Sequence, residues 1–156
     1  LQGIQKEDRA MPNIRTSVVI NQPLERVFEF VIRACRQSQW HWTASCTTSD
    51  TPPPALGDSF TEDFLVAGKR GRITWTVREF RPPHRWVLSG VCPDGGTATL
   101  IYGFLAAPGG ARVKRELSYN VPALMDGIGD FLTLRNRIQA ESADALRRLK
   151  HVVEGN

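Results

Sequence analysis

The feature that most constrains this fold is a long amphipathic segment closing a chain otherwise patterned as successive strands. Over residues 121–154, apolar side chains recur at Leu124, Ile128, Phe131, Leu134, Ile138, Ala145, Leu149 and Val152, the spacing of one helical face. No proline follows Pro122, and glycines stand only near the two ends. The pattern predicts one helix of roughly thirty residues, about 45 Å long. Its apolar stripe needs a broad surface to lie against, and the only one upstream is a sheet. A strongly curved sheet around one long helix commonly leaves a hollow, which is the expected seat of function.

The upstream pattern supplies that sheet. Residues 15–21 are β-rich and read as an opening strand, stopped by Asn21, Gln22 and Pro23. Proline suits a first helical turn, and Leu24, Val27, Phe28, Val31 and Cys35 follow at helical spacing, predicting a helix over 23–36. A second short helix or irregular turn is expected over 37–42, and a strand within 43–50. Three prolines at 52–54 then force a stiff loop. From Gly57 the period changes to two. Phe60, Glu62, Phe64 and Val66 share one face; Ile73, Trp75 and Val77 share the next. Strands are expected over 85–91, 97–106 and 112–121, separated by turns at Asp94-Gly95-Gly96 and Pro108-Gly109-Gly110. Ala98, Leu100, Tyr102 and Phe104 fall on one side of the second of these, and Val113, Leu117 and Tyr119 on one side of the third. Hairpin succession implies an antiparallel sheet of about seven strands. With two short helices after the first strand and the long one at the end, the class is α+β.

At 156 residues the chain is sized for one domain, expected over 14–154, with 1–13 a flexible extension or expression remnant and Met11 a candidate native start. No apolar run approaches the ~18 residues of a membrane span, and the first residues lack a signal-peptide core, so a cytoplasmic location is expected. Cys35, Cys46 and Cys92 show no C-x-x-C spacing and read as free thiols. His41, His84 and His151 show no metal-ligand spacing with them, so no metal is expected. The net charge is +4, with Lys69, Arg70, Arg72, Arg78, Arg81 and Arg85 clustered against Glu79 alone. Such a cluster attracts an acidic partner or, more commonly, is a solvated sheet face. Nucleic acid is not an expected partner, because the alternation turns the aromatics inward, where they cannot stack on bases.

The inward faces define the candidate site. Phe60, Phe64, Trp75, Trp86 and Phe104 would line an apolar, aromatic pocket for a hydrophobic small molecule, with Trp40 near its mouth and Phe131 on the helix above it. For any one of them, simple core filling is the commoner role. Glu62 breaks the pattern. A carboxylate among aromatics is desolvated, which raises its pKa and suits acid/base work, unless the strand edge lets it reach water. Tyr102 and Tyr119 would orient a carbonyl or stabilise an enolate, or else bond to backbone. Arg115 alternates with Val113 and Leu117, and Arg135 sits beside the helical stripe. Pointing inward, either would pair with Glu62 or hold a ligand carboxylate; surface exposure is the commoner fate. His41, between two tryptophans, is a candidate acid/base or a plain polar loop residue.

The order of elements resembles the helix-grip fold of the START/SRPBCC superfamily, and within it the polyketide cyclase/dehydrase branch. The likeness rests on V-V-I-N-Q-P-L-E-R-V-F-E-F-V at 18–31, the Trp40/Trp42 segment, P-A-L-G-D at 54–58, W-T-V-R-E-F-R-P-P-H-R-W at 75–86 and the terminal L-R-R-L-K-H-V-V-E. It spans about residues 14–154 and concerns order and spacing, not a catalytic signature. The resemblance implies a cofactor-free enzyme that folds a poly-carbonyl substrate in its cavity and assists ring closure or dehydration, with an acidic acyl-carrier protein as a possible partner. The alternative it leaves open is a non-catalytic carrier or sensor of a hydrophobic ligand.

Overall fold

A computed structural model describes residues 13–33, 40, 44–46, 54–125 and 129–155. Its elements run β1 (Asn13–Ile20), α1 (Leu24–Ile32), β2 (Ala44–Cys46), β3 (Ser59–Val66), β4 (Lys69–Arg81), β5 (Arg85–Val91), β6 (Thr97–Ala107) and β7 (Gly110–Asn120). A 3₁₀ turn (Pro122–Met125) then leads to α2 (Phe131–Gly155). The strands form one seven-stranded sheet in the order β1-β7-β6-β5-β4-β3-β2, antiparallel throughout. This is the helix-grip architecture: a curled sheet whose buried face holds the terminal helix.

The alternation read from the sequence is the alternation of burial. Ile73, Trp75 and Val77 are buried on β4, and Ala98, Leu100, Tyr102 and Phe104 on β6. A bulge between Val77 and Glu79 shifts the β4–β5 register. The extra residue switches the parity of β4, so Phe80 joins the inner side and meets Phe28 edge-on, with ring centroids 5.9 Å apart. The β3–β4 turn needs left-handed backbone at Ala67 (φ 49°) and Gly68 (φ 78°).

Both helices are shorter than their patterns suggested. The first covers nine residues and not the expected 23–36; Pro23 caps it from outside, at φ −57° and ψ 146°. The expected second helix at 37–42 lies outside the described residues except for Trp40, which is buried. The terminal helix has 25 residues, about 37 Å, and begins ten residues later than expected. Asp130 accepts a hydrogen bond from the Thr133 amide at 2.8 Å, an N-cap that fixes the start. Leu124 therefore belongs to the preceding 3₁₀ turn. The buried stripe is Leu134, Ile138, Ser142, Ala145, Leu146, Leu149 and Val153; Val152 is only partly buried, and Phe131 is 53% exposed.

The helix lies along β1. Gln139 and Lys150 donate to the backbone oxygens of Arg15 and Val19 at 2.9 and 3.0 Å, and Arg135 reaches that of Asn13 at 3.4 Å. It also reaches the β3–β4 turn, where Glu141 accepts from the Ala67 amide at 3.1 Å.

Candidate functional site

Between the buried face of the sheet and the middle of α2 lies a cavity of about 80 Å³. Its buried walls include Ile73 and Trp75 of β4, Ala98 of β6, Arg115 and Tyr119 of β7, Leu124 of the 3₁₀ turn, and Ile138 and Ser142 of the helix, with Cys92 and Val121 beside them. Half-buried Glu62, Phe64, Val66, Leu117 and Glu141 complete it toward the surface. The lining is mostly apolar, with Glu62, Arg115, Tyr119, Glu141 and Ser142 as its polar members.

Alternation along β3 carries Glu62 to the inner face, where its Oε1 accepts a hydrogen bond from Trp75 Nε1 at 3.3 Å. The residue keeps some exposed surface, but protein atoms surround its carboxyl. Burial pushes its pKa up to about 7, against the lowering effects of the Trp75 bond and the Arg115 charge. Half of such carboxyls carry a proton near neutrality, the condition for giving and taking one.

Arg115 is 6% exposed. It stands opposite Tyr102 in the β6–β7 register, and its Nε donates to the Tyr102 hydroxyl at 3.2 Å. Its Nη1 donates to Ser142 Oγ on the helix at 3.1 Å. The surface position that is commoner for such an arginine is thus not the one found. Tyr102 is fully buried, stacked between Trp86 and Phe104; burial raises its pKa, opposed by Arg115. Tyr119 is different. Its hydroxyl is buried and has no hydrogen-bond partner among the described residues, and desolvation raises its pKa, with Arg135 opposing.

The structure therefore sorts the expected site residues. Glu62, Phe64, Trp75, Arg115 and Tyr119 meet around the cavity. Tyr102 stands behind Arg115 rather than in the lining. Phe60, Trp86, Phe104 and Trp40 are buried but fill the core away from the cavity; Phe104 packs edge-on against Phe28 at 5.0 Å, so α1 takes up that space. Phe131 is exposed, and Arg135 is exposed and turned to β1. His41 lies outside the described residues. Sequence reasoning missed Ser142 and Glu141. Ser142 occupies the gap between Ile138 and Ala145, and a small polar residue interrupting an apolar stripe was the signal. Cys92, a free buried thiol whose pKa burial raises, also lines the cavity. No cluster of potential metal ligands and no helix long and apolar enough to cross a membrane occurs among the described residues.

A seven-stranded curled sheet gripping one helix over a small, mostly apolar cavity defines a ligand-binding domain of the helix-grip class. The chain belongs to the family described as polyketide cyclase / dehydrase and lipid transport, whose model matches residues 11–154. No curated protein matches the sequence. Among solved structures, protein CV1439 from Chromobacterium violaceum is similar at 17% identity and TM-score 0.71, over 92% of this chain and 99% of that one. The di-domain ARO/CYC StfQ of the steffimycin biosynthetic pathway matches at 15% identity and TM-score 0.73, over 97% of this chain and 53% of its own length. DynU16, a putative protein in the dynemicin biosynthetic locus, matches at 18% identity and TM-score 0.62, over 91% of this chain and 47% of its own. The chain thus spans about half of each of these last two proteins. At such identities the likeness is one of fold.

Proposed function

We propose that the protein is a polyketide cyclase/dehydratase-like enzyme that binds a hydrophobic poly-carbonyl or aromatic molecule and assists ring closure or dehydration, with Glu62 as general acid/base. The observation that carries this reading is a carboxyl with pKa near 7 in a mostly apolar cavity that also holds the Tyr119 hydroxyl, which has no partner among the described residues. The carboxylate would take a proton from carbon between two carbonyls. Tyr119 would donate to the resulting enolate oxygen, the carbanion would close on a second carbonyl, and protonated Glu62 would return its proton to the new alkoxide. For dehydration the regenerated carboxylate would then take a second α-proton and hand it to the departing hydroxide, which leaves as water. Side chains suffice for this chemistry. The family and the biosynthetic settings of StfQ and DynU16 support the reading. An acidic acyl-carrier partner belongs to the same proposal.

A second reading, carriage of a hydrophobic ligand without turnover, is favoured by one observation. Arg115 is engaged by Tyr102 and Ser142, as a structural arginine would be. Turnover of a linear poly-β-ketone separates the two. Glu62→Gln should lower it by about 100-fold or more while leaving affinity for a naphthyl probe unchanged. Turnover indifferent to that substitution overturns the acid/base role, and binding without turnover in the unsubstituted protein selects the carrier.

A further inference from the structure

The cavity adjoins a second, larger space. Phe64, Cys92, Val121 and Leu124 wall both the Glu62 cavity and a groove of about 370 Å³ that runs past Lys69, Arg70 and Gly71 to Asp94. Phe64 stands at the boundary with its ring laid flat on Gly71, so close that a Cβ there would fall 2.3 Å from the ring carbon Cζ. Alone, the inner cavity is smaller than the ~300–1,000 Å³ of typical small-molecule sites, a range the two spaces reach together.

The groove is predominantly basic, where the cavity is mostly apolar and holds both signs of charge. Lys69 shares the parity of Gly71, Ile73 and Trp75 on β4 and is half-buried, and its ammonium has no hydrogen-bond or ion-pair partner among the described residues. Arg70 beside it is exposed and equally without one. Arg72 is engaged, its Nε donating to Asp63 Oδ1 at 2.7 Å. The acid in the lining, Asp94, accepts from the Gly96 amide at 3.0 Å. The lining therefore carries three cations against one carboxylate, and two of the cations are available. An ammonium partly withdrawn from water without a counter-charge is a site that a bound anion stabilises.

We propose that this groove binds an anionic group, carboxylate or phosphate, at one end of a ligand whose apolar body enters the Glu62 cavity. The inference rests on the ligand-binding reading above and narrows it to amphipathic anions. Six residues of strand separate Lys69 from Trp75, about 20 Å of backbone. The lysine side chain covers part of that span, leaving a ligand on the order of 10–15 Å long.

The test uses three probes of that length: 4-(2-naphthyl)butanoate, its neutral butanamide, and the phosphate monoester of 4-(2-naphthyl)butanol. Binding is followed by naphthyl fluorescence. At least one anion should bind about tenfold or more tighter than the amide. Which one does so distinguishes a carboxylate ligand from a phosphorylated one. The advantage should vanish in Lys69→Gln/Arg70→Gln with the amide affinity unchanged, and shrink in 0.5 M salt, roughly as expected for partly exposed charges. An amide that binds as well as both anions, or an advantage that survives the double substitution, overturns this inference and leaves the cavity reading intact. Failure of all three probes to bind overturns both.

Discussion

Glu62 and Arg115 are both charges on a buried face, and they are held there in opposite ways. Arg115 has its donors placed on Tyr102 and Ser142, so its burial is compensated. Glu62 has Trp75 and the field of Arg115, and desolvation still dominates. Its folded pKa of about 7 lies above the reference 4.5, so the folded state holds a proton that the unfolded state releases first. The stability it contributes is complete below about 4.5, declines as pH rises, and is lost above about 7. Glu62→Gln should therefore match the parent protein at pH 4 and exceed it at pH 8 by on the order of 3 kcal/mol, measured by denaturant unfolding at the two pH values. A constant difference across that range would remove Glu62 as the titrating group. Arg115→Met should cost about 2–3 kcal/mol by stranding the hydroxyls of Tyr102 and Ser142. Tyr119→Phe, which deletes a hydroxyl with no partner among the described residues, should leave stability unchanged or raise it while weakening carbonyl ligands. Much of this residue scale was legible. Period-two alternation put Glu62 and Tyr119 on the inner face and left that face open to Arg115, for which a surface position was the commoner expectation. It did not tell cavity from core, because Phe60, Trp86 and Phe104 share that face; Phe104 is taken up by Phe28 of α1 and Trp86 by stacking on Tyr102.

The elements show why strands were easier to read than helices. Many strand ends are marked by residues with a backbone reason to turn, such as Gly95 and Gly109 at φ 92° and 82°, and the limits of β1, β5, β6 and β7 fall within two residues of those read from the sequence. By contrast, β2 is only three residues of the expected 43–50, and β4 starts at Lys69, inside the Gly68–Gly71 stretch that the sequence suggests as a turn. Helix periodicity has no such punctuation. Leu124 fits the helical spacing by coincidence, Phe131 opens the helix but stays exposed, and the Asp130 cap places the start. The stripe also reached Val152 where the helix buries Val153, because Leu149 to Val153 is one full i+4 step. At the β6–β7 turn, a Cβ on Gly110 would lie 1.9 Å from the Ile20 backbone oxygen, a contact no rotamer relieves. Gly110→Ala should cost about 3 kcal/mol or more, read as a lower denaturation midpoint; a neutral result would mean that β1 can move away from β7. Glu141→Ala should cost about 1 kcal/mol by freeing the Ala67 amide, with faster hydrogen exchange confined to the β3–β4 turn.

For the molecule as a whole, sheet and helix meet over a space that is not filled, and a ligand that enters it binds only the folded state. At a hundredfold excess over its dissociation constant such a ligand contributes about 2.7 kcal/mol, or roughly 5–10 °C in melting temperature for a chain of this size. Thermal melts with the naphthyl anion and with its amide measure this directly, and an unchanged midpoint at saturation would mean that the probe binds elsewhere. The overall architecture was legible because hairpin spacing and one long amphipathic segment admit few topologies. The cavity's size was not, since volume depends on how side chains meet across the interior. The path of α2 has a last consequence. With Arg135, Gln139 and Lys150 seated on main-chain oxygens of Asn13, Arg15 and Val19, that margin is already zipped by its own chain. A foreign extended peptide seeking to lengthen the sheet is left the short opposite border at Ala44–Cys46.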